Sequence, residues 1–395
     1  MAMAYHGHQF RTYNPDIGDG RGFLFAQLRG VDGRLYDLGT KGSGQTPFSR
    51  TGDGRLTLKG AVREILATEL LEALGVRTSR TLSVIETGEA LQRHDEPSPT
   101  RSAVLVRISE SHIRFGSFQR LAFLGDEEGL RKLWSYVGKE HLAGSAHDDG
   151  AMFESIVRNM ARMTAELMAA GFVHGVLNTD NMNVTGECFD YGPWRFLPTL
   201  KPGFTAAYFD HGGLYAFGRQ PEAIYWNLAA LADALRPILP TEALQNGIRV
   251  YPDAYASAFA AAIFARLGVT SPGGEEAQSF AEDFFSFLHE TQLPFERAFF
   301  DLFGGRAGRE KRANSPHKDV YAEADALMAR LDAFVPLRPE RLEHPAFGEG
   351  PQTLLIDEVE DLWAAIAERD DWSPLHDKIQ AIRRYGEALG LSRPN

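Results

Sequence analysis

Gly171-Phe172-Val173-His174-Gly175-Val176-Leu177-Asn178-Thr179-Asp180-Asn181, followed after a short gap by Phe189-Asp190-Tyr191-Gly192, decides how this chain is read. Three short polar side chains, Asp180, Asn181 and Asp190, stand among apolar groups and beside glycines, which let the backbone turn sharply. A hard cation such as Mg²⁺ takes oxygen ligands and keeps several waters, so one or two protein oxygens suffice when a phosphate completes its shell. The same residue types also favour a pair of Asx turns.

The spacing also matches a known arrangement. His174 to Asn181, followed by Asp190-Tyr191-Gly192, matches the protein-kinase catalytic loop and its metal-binding Asp-x-Gly. In that alignment the position of the kinase's catalytic Asp falls on Val176, and an isopropyl group accepts no proton. The nearest carboxylate able to replace it is Asp180.

Composition sets the outer limits. With 395 residues, 44% hydrophobic and 24% charged, the chain is an ordinary globular sequence able to bury a large core. Its 53 acidic and 41 basic side chains give a formal charge of −12, which argues against nucleic acid or an anionic membrane as partner. A phosphate ligand must therefore be met by locally placed cations. The single cysteine, Cys188, allows no intramolecular disulfide and reads as a small buried filler. No signal sequence and no spanning apolar run is evident, so a cytoplasmic location is expected.

Upstream, Gly18-Asp19-Gly20-Arg21 and Gly52-Asp53-Gly54-Arg55 repeat one pattern. Asp-Gly marks turns, and Gly22–Leu28 and Arg34–Leu38 read as strands between them. The repeats are either plain hairpin turns or flexible backbone that, with Arg21, Lys41 and Arg55, cradles phosphate oxygens. Leu58 to Leu74 has helical spacing and is closed by Gly75. Glu64 on that helix is either a solvated rim residue or the partner of the strand lysine Lys41, as in protein kinases. Thr81–Glu86 and Ala103–Ile108 read as further strands. Arg107 and Arg114 follow around a turn, as two surface arginines or as two guanidinium groups converging on one anion.

Helices are expected from about residue 128: Met152–Ala170 leading into the catalytic stretch, Pro221–Leu235, Asp253–Leu267, and segments near 320–333, 357–368 and 375–389. Phe280–Phe303, with aromatics at helical spacing, reads as core, and Gly304–Lys318 as a basic solvated loop.

Long stretches resemble the selenoprotein O family, protein adenylyltransferases with a kinase-like fold. They are His6-Gly7-His8-Gln9-Phe10, Ile17-Gly18-Asp19-Gly20-Arg21, Thr40-Lys41-Gly42-Ser43-Gly44, Ser49 to Arg55, Ser111-His112-Ile113-Arg114-Phe115-Gly116, and the segment through Pro193, with Gln220-Pro221 and Trp226-Asn227-Leu228 ending the series near residue 230. The resemblance implies an α+β, protein-kinase-like bilobal fold, with a β-rich N-terminal lobe over residues 1–125 and a mainly helical C-terminal lobe over 126–395 that carries the catalytic loop 171–193.

It also implies that Lys41, Arg107 and Arg114 hold the distal phosphates of ATP and that Glu64 pairs with Lys41. Gly18, Gly20, Arg21, Asp53 and Gly54 are then expected to line the nucleotide, Asn181 and Asp190 to bind Mg²⁺ (Mn²⁺ being the alternative), and Asp180 to act as general base. Members of the family bind ATP flipped relative to kinases and transfer AMP to Ser, Thr or Tyr hydroxyls of proteins. A kinase-like phosphotransferase and an ATP-binding pseudokinase are the alternatives.

Two departures from the family carry expectations of their own. The chain reaches the His-Gly-His-Gln-Phe motif at residue 6, so an N-terminal strand layer is expected to be absent or replaced. It ends Leu391-Ser392-Arg393-Pro394-Asn395 without a cysteine, so redox control through a C-terminal disulfide is not expected. The C-terminal third matches the family motifs only loosely.

Overall fold

In the structure, a computed structural model describing residues 1–94 and 96–391, the strand and turn signals of the first part form an antiparallel sheet. Of the final Leu391–Asn395 segment, residues 392–395 lie outside the described residues. A short hairpin of β1 (Gly7–Gln9) and β2 (Thr12–Asn14) comes first. The sheet itself contains β3 (Leu24–Arg29), β4 (Leu35–Lys41) and β5 (Leu56–Thr57). The helix α1 (Leu58–Ala73) is followed by β6 (Arg80–Leu91) and β7 (Thr100–Ser109).

Strand β7 is central, with β4 and β5 along one edge and β6 along the other. Its register with β4 sets Gly39 opposite Arg107 and Lys41 opposite Leu105. Opposed residues of antiparallel strands share a face and side chains alternate with period two, so Lys41 and Arg107 project from the same face. Neither Asp-Gly repeat is a hairpin turn: the β3–β4 turn uses Gly30–Gly33, and the repeats form loops ahead of β3 and β5.

α1 starts where the Thr57 hydroxyl accepts a hydrogen bond from the Gly60 N–H at 3.1 Å, and it stops at Gly75, whose φ of 85° suits glycine. Its buried face includes Leu58, Val62, Leu66 and Leu70. Burying each such side chain contributes about 1.5–3 kcal/mol relative to exposure. Glu64 is buried on this helix too, so it is no solvated rim residue.

The remainder is mostly helical, and helix begins earlier than the sequence suggests, at α2 (Phe115–Phe123), followed by α3 (Glu127–His141). Next is α4 (Asp149–Ala169), capped by Asp148, which accepts from the Ala151 N–H at 2.7 Å. Gly171 ends that helix at φ 63°, and a Cβ there would sit 2.7 Å from the Phe295 ring. The chain then turns into β8 (Phe172–Val173), which pairs with β9 (Arg195–Phe196). The Asp180 and Asp190 segment runs between these two short strands.

Beyond it come α5 (Gln220–Leu235), α6 (Thr241–Arg249), α7 (Tyr251–Arg266), α8 (Gly274–Thr291) and α9 (Phe295–Leu302). The aromatic run 280–303 is core, as expected, but it is divided at Pro294, which has no N–H for an intrahelical bond. Gly304–Lys318 is not a plain solvated loop. It contains a 3₁₀ turn and α10 (Arg309–Ala313), from which Lys311 inserts among Phe300, Phe303 and Phe347 and donates to the Phe300 carbonyl. The chain ends in α11 (Lys318–Glu323), α12 (Asp325–Ala333), α13 (Ala346–Glu349), α14 (Ile356–Arg369) and α15 (Ser373–Leu389).

The last two helices return to the sheet side. Arg383 pairs with Glu69 at 2.5 Å and Lys59 with Glu360 at 2.6 Å. One apolar cluster accordingly runs from Leu66 and Leu105 through Ile156 and Phe172 to Ile382. Among the described residues no helix is long and apolar enough to cross a membrane.

Candidate active site

The sheet face bearing Lys41 and Arg107, the two glycine loops and the segment carrying Asp180 and Asp190 enclose a cavity of about 830 Å³. Its walls carry every predicted site residue except Glu64: Gly18, Gly20, Arg21, Lys41, Asp53, Gly54, Arg107, Arg114, Asp180, Asn181 and Asp190. Glu64 stands behind Lys41 in a direct, buried ion pair. Burial, only partly offset by Asp190 and aided by the neighbouring arginines, pushes the Lys41 ammonium down to about 7.

Asp190 is the meeting point. One of its oxygens accepts from Arg107 and the other from Arg114, and Lys41 Nζ lies 3.6 Å away. The Phe189 ring lies beneath both guanidinium groups, its centroid 4.9 Å from Arg107 and 4.5 Å from Arg114. Burial acts to raise the Asp190 pKa, but Arg107, Arg114 and Lys41 outweigh it and hold the carboxyl well below its ordinary range. Asp190 itself adopts a left-handed φ of 60°, uncommon outside glycine. The anion on which the two arginines converge in the structure is the chain's own Asp190.

Asp180 sits in a different environment. It lies in the 3₁₀ turn Thr179–Asn181, with Oδ1 buried and lacking a hydrogen-bond partner and Oδ2 3.4 Å from the Gln9 amide nitrogen. Burial, partly offset by Arg114, raises its pKa to about 6. A carboxyl titrating near neutrality suits proton transfer. Arg114 also donates to the Asp180 carbonyl at 2.7 Å, which ties the turn to the cation cluster.

Asn181 donates its amide to the Val176 carbonyl at 2.8 Å, leaving the side-chain oxygen as its donor atom for a cation. Val176 lines the cavity, where it supplies neither acid nor base. His174 is structural: buried and held near its neutral form, its pKa about 4, it contacts the Phe189 carbonyl at 3.2 Å and so joins the two halves of the stretch.

The glycine loops are shaped by close approach. A Cβ on Gly18 would lie 2.8 Å from a Phe48 ring carbon, and one on Gly54, at φ 71°, would overlap the Gly44 and Gln45 backbone. The Asp53 carboxylate accepts from Arg93 at 2.8 Å and from the Arg55 N–H at 2.9 Å, so it braces the cavity mouth. Arg21 lines the cavity between Gly20 and Gly22.

The residue types did not mark Asp19, which pairs with Arg114 at 3.3 Å, or Tyr5, whose ring lies 4.6 Å from the Arg114 guanidinium. Nor did they give a role to Gln9, although its motif was conspicuous. Among the described residues no group of three or more His, Cys, Asp and Glu side chains is placed to hold a metal ion. Asn181 and Asp190 bring two side chains with oxygen atoms to the cavity wall, fewer donors than a protein-built cage supplies.

A family model described as protein adenylyltransferase SelO matches residues 1–383. The chain belongs to the SelO family. The match continues far past residue 230, so the C-terminal part is no loose appendage to the family pattern. A protein nucleotidyltransferase YdiU from Synechocystis is 43% identical, over 97% of this chain and 84% of the relative. The protein of that name from Gloeobacter violaceus is 44% identical over 97% and 82%, and that from Vibrio parahaemolyticus 33% over 97% and 80%. These SelO relatives are named as transferases, which gives the pseudokinase alternative no support.

Proposed function

We infer that the chain is a protein adenylyltransferase, moving AMP from ATP to the hydroxyl of a protein Ser, Thr or Tyr and releasing pyrophosphate. The observation that carries this reading is the pairing of a cation cluster, Lys41, Arg107 and Arg114, with a near-neutral carboxyl, Asp180, while Val176 occupies the kinase base position.

In the proposed reaction the hydroxyl oxygen bonds to the α-phosphorus as the bond from that phosphorus to the bridging α–β oxygen breaks. The hydroxyl proton passes to Asp180, and pyrophosphate carries the electron pair away. Negative charge grows on the leaving group, where Lys41, Arg107 and Arg114 are poised to stabilise it. Glu64 fixes the position of Lys41 through their ion pair. Arg21 and the loops at Gly18–Gly20 and Asp53–Gly54 would line the rest of the nucleotide.

Hard oxygen donors at Asp190 and Asn181 fit Mg²⁺, with Mn²⁺ as the alternative. Bound there, the ion supplies charge neutralisation of the phosphates. The sheet before residue 110 and the helices after 115 support a two-lobed, kinase-like architecture with a boundary near 125. A chain using ATP, with one free thiol, suits the cytoplasm.

The test uses ATP labelled on either the α- or the γ-phosphate, with casein and the protein itself as acceptors. Protein-bound α-label with no γ-label is expected. Transfer of γ-label alone would mean a phosphotransferase.

A further inference from the structure

Three consecutive residues of the catalytic turn are each held by a different residue of the β1–β2 hairpin. Phe10 donates its N–H to Asn178 Oδ1 at 3.1 Å, His8 donates its N–H to Thr179 Oγ1 at 2.7 Å, and Gln9 Nε2 lies 3.4 Å from Asp180 Oδ2. Gly7 comes so close that a Cβ on it would stand 2.9 Å from Asp180 Oδ1, which is itself buried. The Gln9 amide is oriented in turn. Asn14, across the hairpin, donates to Gln9 Oε1 at 3.2 Å, which turns the nitrogen end toward Asp180.

The hairpin holds this geometry against a backbone cost. Phe10 and Arg11 both lie in the left-handed region, at φ 50° and 63°. For non-glycine residues that conformation costs about 1–2 kcal/mol each, and it persists only where the surroundings impose it. Those surroundings are visible: Arg11 pairs with Glu222 at 2.8 Å, and the Phe10 ring packs 5.0 Å from that of Tyr215. Tyr215 also donates to Asn178 Oδ1 at 2.7 Å, so the clamp and the turn share an anchor.

We propose that Gln9 is a positioning residue for AMP transfer: with Gly7 sealing Oδ1, its amide holds the Asp180 carboxylate so that Oδ2 is the oxygen presented to the substrate hydroxyl. A carboxylate oxygen has about two acceptor sites, so Oδ2 accepts from Gln9 and still takes a proton. The proposal rests on Asp180 being the base.

Its test is Gln9→Met, which keeps the side chain's size and removes the amide, assayed for α-label transfer to casein and to the protein itself. Because misplacing a reacting group by about 1 Å costs on the order of 10²-fold, kcat is expected to fall about 10- to 100-fold. The KM for ATP and the ATP dissociation constant should stay within about twofold, and the thermal midpoint within a few degrees. Should Gln9→Met fail to fold, Asn14→Leu carries the same test, since it leaves Gln9 in place and frees its amide to rotate. Gln9→Asn, with a shorter reach, should keep an intermediate rate. Unchanged kcat in a folded variant, or loss of ATP binding equal to the loss of rate, would overturn the assignment. A wild-type protein that transfers no α-label would instead sink the adenylylation reading, and the proposal with it.

Discussion

Lys41 Nζ stands 3.6 Å from Asp190 Oδ1, so a sheet lysine and a loop carboxylate distant in sequence belong to one buried electrostatic unit. Arg107 and Arg114 complete it. Removing the shared anion leaves three cations in a buried site, and breaking such a unit typically costs about 3–5 kcal/mol. Asp190→Ala should therefore lower the urea midpoint sharply and weaken Mg²⁺–ATP binding. Pyrophosphate should restore part of the lost stability by supplying a replacement anion. A variant as stable as the wild type, with undiminished nucleotide binding, would contradict this account.

In the proposed reaction Glu64 acts on the nucleotide only through Lys41, its ion-pair partner. Glu64→Gln keeps the shape and removes the charge, so the lysine loses its fixed position. Steady-state assays should show kcat/KM for ATP falling about 10- to 100-fold, an effect of about 1.4–2.7 kcal/mol. Lys41→Met should fall at least as far, and the double variant should be little worse than Lys41→Met alone.

Chelation gives a third check. On the proposed reading, in which Asn181 and Asp190 offer oxygens to the ion, EDTA should abolish transfer and added Mg²⁺ or Mn²⁺ should restore it. The fold, followed by circular dichroism, should not change, because no metal-independent element of the core depends on the ion.

At Gly54 the φ of 71° and the approach of the Gly44 backbone leave no room for a methyl group. Gly54→Ala should destabilise the loop by about 1–2 kcal/mol or more. ATP affinity, measured by calorimetry, should drop with it. Gly33 also has positive φ but has nothing within 4 Å of a Cβ, so Gly33→Ala should cost only the backbone term and leave ATP affinity unchanged.

Cys188 is buried, and burial pushes its thiol up to about 12. Only the thiolate reacts readily, so Ellman's reagent at pH 8 should find no thiol in the native protein and one after denaturation. The sign for stability follows. The folded state keeps the proton from about pH 8.5 to 12 while the unfolded state loses it, so this group's contribution declines as pH rises through that window. Rapid native labelling would show that the site opens.

Much of this was legible in the residues, and the exceptions have physical causes. Leu58–Leu74 and Met152–Ala170 are long, periodic and capped, and the helices found there are Leu58–Ala73 and Asp149–Ala169. The β1–β2 hairpin was hidden because strands of three residues show no periodicity and its turn uses Phe10 and Arg11 where glycine is usual. Helix α2 was missed because it opens directly from the polar Ser111–Arg114 turn, and Arg114, its N-cap, makes no side-chain capping bond. At the site, Glu64 and the two arginines had both a bland and a functional interpretation at sequence level. Only register and burial show that Glu64 pairs with Lys41 and that both arginines meet Asp190, since pairing Gly39 with Arg107 is what sets Arg107 beside Lys41.

The most direct test of the whole account compares wild type with Asp180→Ala, using α-labelled ATP and an independent measurement of ATP affinity. A positioned general base contributes about 10²–10⁴-fold, so label transfer should fall by that factor while the ATP dissociation constant stays within about twofold. Full transfer by Asp180→Ala would contradict the assignment of this carboxyl as the base.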